Sequence, residues 1–178
     1  LIDGWLATGD LAGIHRGEIF IVGRVKDLII QSGRNIYPED IEGAIREVSA
    51  VRKGGVVVFS APDEDSGTSD ERIVALVEVD NGAEVEDLAG VIAQSVQSIT
   101  GSTLDEIVLV PPRTVSKTSS GKVRRGDNRE RYISGELGGS GRGLWNIGST
   151  VAPLVLGSLW VRGRTRVRQF FSNDEVEK

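Results

Sequence analysis

The chain has 178 residues, 39% of them hydrophobic and 26% charged, which suits a soluble globular protein of one domain, or one domain and a fragment. A net charge of −5 gives no global attraction to nucleic acid. With no cysteine and one histidine, the composition excludes disulfides, thiolate metal sites, thiol nucleophiles and multi-histidine metal sites within this chain.

In chain order, Leu1 to Trp5 is not a basic region leading into an apolar core, so no secretory signal is expected. Methionine is absent throughout, and the expectation is a chain that starts inside a longer protein. Thr8-Gly9-Asp10 suits a tight turn presenting a carboxylate. His15-Arg16-Gly17-Glu18 reads as a hairpin turn between the short apolar runs 11–14 and 19–22, with His15 a solvated turn residue. The stretch 23–35 has an apolar strand core, Leu28 to Ile30, between charged residues and a Gly33-Arg34-Asn35 turn. Residues 38–50 read as a helix. Pro38 suits its first position, Glu39, Asp40 and Glu42 favour its amino end, and Ile41, Ala44, Ile45 and Val48 make one apolar face.

Gly54-Gly55 opens Val56 to Phe59, a continuous apolar run expected to be a buried strand. The polar loop 61–70 is acidic but lacks the spacing of the twelve-residue calcium loop. Residues 72–79 read as a strand paired with 56–59, residues 84–99 as a second helix, and 105–110 as a further strand ended by Pro111-Pro112. The order strand, helix, strand, strand, helix, strand predicts an α+β fold. It is a small mixed three-stranded sheet with flanking helices, a short N-terminal β-hairpin and a flexible C-terminal tail.

Ser116 to Gly121 is too polar to pack and reads as an exposed mobile loop with Lys122 at its tip, ahead of a basic helix running to about Leu137. It is not a phosphate loop, because the upstream glycine is missing and no hydroxyl residue follows Lys122. Gly138 to Gly143 reads as a linker. Leu144 to Val161 is mostly apolar but shorter than a membrane span, and Arg162, Arg164, Arg166 and Arg168 follow. A helix lying on the domain or on a membrane surface and the start of a further domain are equal readings there, with packing on the domain or a partner favoured over membrane contact.

Three blocks carry a resemblance: Gly-Trp-x-x-Thr-Gly-Asp-Leu at 4–11, Gly-Arg-x-Lys-Asp at 23–27 running through Asp40-Ile41-Glu42, and Lys-Thr-x-Ser-Gly-Lys at 117–122. In this order they resemble the acyl-adenylate-forming (AMP-binding) enzymes, most like the fatty acyl-AMP ligase branch. That implies three parts: residues 1–25 as the last strands of a large adenylate-binding domain, 26–137 as a mobile C-terminal lid, and 138–178 as linker and apolar, basic tail. It implies a cytoplasmic ligase that uses ATP and Mg²⁺, bound mainly by the large domain. That ligase activates a fatty acid to its adenylate and passes the acyl group to an acyl carrier protein. Coenzyme A is the alternative acceptor, and a non-catalytic docking module for carrier protein or membrane is the rival from another class. Peripheral membrane contact through the tail is a further alternative.

By the same resemblance Asp10 holds the ribose hydroxyls, Arg24 helps fix the nucleotide, Lys26 is the hinge residue and Lys122 the adenylation lysine. Gly33 belongs to the loop that faces the acceptor thiol. No metal ligand is expected on this chain, and the isolated 178 residues are expected to have negligible activity. Ser116 replaces the family's usual proline, which is expected to loosen the loop, and Ile36 stands where the ligase branch often has histidine.

Overall fold

A computed structural model describes residues 3–31, 33–62, 71–80 and 88–137, together with the backbone of 154–161 and 165–171. The polar loop 63–70, the start of the second helix at 84–87 and the linker from 138 lie outside the described residues.

The chain opens with an antiparallel hairpin, β1 (Asp10–His15) and β2 (Glu18–Arg24). Its two-residue turn puts both Arg16 and Gly17 at positive φ, 52° and 81°, the twist that matches right-handed strands. A short 3₁₀ turn, Val25–Asp27, leads into a second, smaller hairpin of β3 (Ile29–Gln31) and β4 (Arg34–Ile36). The sequence pattern showed only the first of these two strands. Gly33 sits between them at φ +74°, in the left-handed region that glycine enters without strain.

Helix α1 (Pro38–Arg46) starts on proline, and its last turn carries Arg46. It ends four residues before the expected boundary, where turns at Val48 and Val51 feed β5 (Val51–Pro62). Strands β5, β6 (Glu71–Val79) and β7 (Glu106–Val110) form the expected mixed sheet, with β5 antiparallel and β7 parallel to β6. Helix α2 (Leu88–Thr100) makes the crossover that a parallel pair requires. Helix α3 (Arg125–Ile133) follows the Lys122 turn.

Successive residues of the sheet point to opposite faces, and each face has its own core. Val56, Val58, Ala75, Val77, Ile107 and Leu109 pack with Ile41, Ile45, Ile92 and Val96 under α1 and α2. Val57, Phe59, Val74, Leu76 and Val108 pack with Tyr132 under α3. The Phe59 and Tyr132 rings meet at 5.5 Å and a 59° tilt. Both faces being covered explains why these strands read as unbroken apolar runs.

Strand β5 is an edge strand, and its outward backbone groups are taken by side chains. Val58 donates its N–H to Glu42 Oε1 at 3.0 Å and accepts from Arg125 Nε at 2.8 Å, and Ser60 accepts from Arg129 Nε at 2.8 Å. On the other side the sheet grows by two strands, β9 (Thr165–Phe171) parallel to β7, and β8 (Leu154–Val161) antiparallel to β9. The helix offered as one reading of 144–161 is therefore corrected to a strand over 154–161. The physical reason is β9, which takes the open edge of β7 and leaves its own outer N–H and C=O groups to be satisfied by β8, an added strand and not a helix.

Candidate functional site

Two loops and one hairpin end converge. Asp10, first residue of β1, lies opposite Arg24, last residue of β2. The Arg24 guanidinium meets the Asp10 carboxylate at 3.1 Å, with Asp10 30% and Arg24 52% exposed. Gly23 allows α1 to come close, since a Cβ there would stand 3.3 Å from Glu39 and 3.4 Å from the Tyr37 ring. Asp10, Gly23, Arg24, Tyr37, Glu39 and Asp40 line a hollow of about 660 Å³.

Arg24 and Glu39 are shared with an adjoining cleft of about 640 Å³, whose other walls include Lys26, Asp27, Lys122, Arg124, Arg125 and Asp127. Five cationic side chains and three acidic ones line it. The acids are occupied: Arg125 takes Asp27 and Glu39, and Arg124 lies 3.7 Å from Asp127. Lys26 and Lys122 make no ion pair with a described carboxylate, so the cleft presents a positive surface to an anion such as a phosphate.

Lys122 is exposed, but its loop is tied at the base. Gly121 N–H donates to Thr118 O at 2.9 Å, Lys117 bridges Val123, and Arg124 N–H donates to Ser116 O at 3.0 Å. Buried Asn128 braces both stems, accepting from Ser116 N–H at 2.8 Å and donating to Ser116 O at 3.1 Å and Arg124 O at 2.8 Å. The expectation that Ser116 loosens the loop is thereby corrected, because a proline has no N–H to give Asn128. Buried Glu78 holds the approach to the loop by accepting from Val115 N–H at 2.8 Å. The mobile loop foreseen from the residues is a short turn on a hydrogen-bonded stem.

The structure thus brings Arg24, Lys26 and Lys122 to one cleft, with Asp10 joined to Arg24 at its rim. Gly33 lines neither hollow. Its neighbours Arg34 and Asn35 border a separate groove of about 640 Å³ along α1 and the end of α2. A Cβ at Gly33 would meet nothing within 4 Å, so its glycine requirement comes from the turn alone. Ile36 is buried in the core beneath α1 and α2.

The sequence reading missed Arg125. Its guanidinium reaches Asp27 at 2.8 Å, Glu42 at 2.7 Å and Glu39 at 3.2 Å. Burial alone would lower its pKa, yet Glu42, then Glu39 and Asp27, hold it above the usual arginine value. Its partners lie 98, 83 and 86 residues away, beyond any local spacing rule; the adjacent basic run at 122–125 was the sole signal. Among the described residues no three His, Asp or Glu side chains gather to hold a metal.

Comparison with known proteins shows the family. The family model for the AMP domain of disco-interacting protein 2-like proteins matches residues 26–140. The chain belongs to that adenylate-forming family. It is 39% identical over 138 residues to the long-chain-fatty-acid–AMP ligase FadD26 of Mycobacterium marinum, covering 73% of this chain and 22% of that protein. It is 35% identical over 141 residues to a 4-hydroxyphenylalkanoate adenylyltransferase of Mycobacterium tuberculosis, covering 75% and 22%. Among solved structures it resembles a fatty acyl-adenylate ligase from work on E. coli and L. pneumophila, at 35% identity and a TM-score of 0.61, covering 75% and 23%. The chain spans about a fifth of the length of the relatives it matches.

Proposed function

We propose that this chain is the C-terminal lid, with the last strands of the large domain, of a fatty acyl-AMP ligase. The observation that carries the reading is the convergence of Lys122, Lys26 and Arg24 on one cationic cleft, with Asp10 bonded to Arg24 beside it. The cleft's other half belongs to the large adenylate-binding domain, which also holds the fatty acid.

In the proposed reaction a fatty carboxylate oxygen attacks the α-phosphorus of ATP. The bond to the bridging oxygen of the β-phosphate breaks, and pyrophosphate leaves. Lys122 meets the charge that builds on the bridging oxygen, and that charge is larger in the transition state than in the ground state. Asp10 accepts hydrogen bonds from both ribose hydroxyls, as an ionised carboxylate can, and Arg24 holds an oxygen of the nucleotide with its planar fork. Lys26 is the pivot about which the lid turns afterwards. Gly33 and its turn then face a pantetheine thiol, whose sulfur attacks the acyl carbonyl as AMP departs. No step is assigned to a metal on this chain.

The test is pyrophosphate release by the full-length protein. Lys122→Ala is expected to slow it by about a hundred- to a thousandfold, the scale of losing one donor to developing charge. The melting temperature should stay unchanged, because the side chain is exposed. Undiminished release removes Lys122 from this role. The isolated 178 residues should release none. Thioester yield with a holo-carrier protein against coenzyme A decides the acceptor, and a carrier protein is the one proposed.

A further inference from the structure

The backbone around Lys26 is anchored on both sides and not at Lys26 itself. On the near side, Val25 N–H donates to Gly9 O at 2.9 Å, and Arg24 is paired to Asp10, so the chain up to Val25 belongs to the first hairpin. On the far side, Asp27 Oδ2 receives Arg125 at 2.8 Å, with both side chains only 16% exposed. Arg125 is itself fixed to the lid by Glu42, Glu39 and the Val58 carbonyl. One residue, exposed Lys26, separates the two anchors. Lys26 lies within the 3₁₀ turn Val25–Asp27, and Leu28 N–H donates to Arg24 O across it at 3.2 Å.

We propose that Arg125 is a positioning residue that bolts the far end of the hinge to the lid. The bolt confines rotation to the Val25–Lys26 linkage and sets the distance between the two walls of the cationic cleft. This deepens the lid reading and rests on it. One wall carries Arg24 and Lys26 and ends at Asp27; the other carries Lys122, three residues before Arg125. The Asp27–Arg125 pair is the direct link between them. Without it Asp27 is free to swing with Lys26, the pivot spreads over several residues, and Lys122 arrives at the nucleotide in a wider range of positions. Arg125 acts on the reaction through Asp27 and the Lys122 stem and touches no reacting atom.

The experiment uses Asp27→Asn in the full-length protein, which leaves Arg125 its bonds to Glu42, Glu39 and Val58. Spin labels go on Glu18→Cys at the start of β2 and Gln97→Cys on α2. Both sites are exposed, and this chain adds no native cysteine. The expected results are a broader label-to-label distance distribution and an unchanged melting temperature. The kcat for pyrophosphate release should fall about tenfold with KM for ATP within about twofold of wild type, a split that a purely structural defect does not produce. Asp27→Glu, which keeps the charge, should recover most of the rate. An unchanged distance distribution overturns the proposal, and so does a broadened one with wild-type kcat. A wild-type protein that releases no pyrophosphate overturns the ligase reading instead, and the distance distribution still decides the bolt.

Discussion

The first hairpin and the α/β unit that follows it are both rich in apolar residues, yet they treat them in opposite ways. In the hairpin Ile14, Ile19 and Ile21 are 79%, 70% and 66% exposed, while in the five-stranded sheet Val57, Val74, Leu76 and Val108 are fully buried. That sheet has helices on both faces and closes its own core. The hairpin is a two-stranded ribbon with no layer packed over it among the described residues, and such a ribbon is marginal by itself. Exposed apolar surface of this extent marks a contact with another body. On the proposed reading that body is the large adenylate-binding domain, and the change from one regime to the other falls at Lys26.

The contrast breaks most visibly at matched aromatic residues. Phe59→Ala in the lid core is expected to destabilise the chain by about 3–5 kcal/mol, measured by urea unfolding. Next is the stem of the Lys122 turn. Ser116→Pro removes the N–H that Asn128 accepts, and should cost about 1–3 kcal/mol. Ser116→Ala should be nearly neutral, because the backbone and not the hydroxyl makes that bond. Asp10 and Arg24 should show a coupling below about 1 kcal/mol in a double-mutant cycle, since the pair is half-exposed, and the coupling should vanish in molar salt. Smallest of all, Phe20→Ala in the hairpin should shift the stability of the isolated 178 residues by no more than about 0.5 kcal/mol. A large loss there would show that the hairpin has a partner within this chain.

Local pattern was enough for the parts of the molecule whose causes are local. Pro38 with its acidic followers and the three- and four-residue steps of Ile41, Ala44 and Ile45 declared α1 in advance. The runs at 56–59, 72–79 and 105–110 declared β5, β6 and β7. Arg16-Gly17 declared the first hairpin, while Asp10, Arg24, Lys26, Gly33 and Lys122 came as candidates from the family resemblance of the three motif blocks. Tertiary contact decided the rest. Whether 154–161 becomes helix or strand depends on the outer edge of β9, itself docked on β7, which no residue in that segment encodes. Whether Ser116 loosens or ties its loop depends on Asn128, twelve residues on. Arg125 acquires its place from carboxylates more than eighty residues away. A short apolar run or a capping residue stabilises structure within its own turn; a buried ion pair has no meaning until folding brings its partners within about 3 Å.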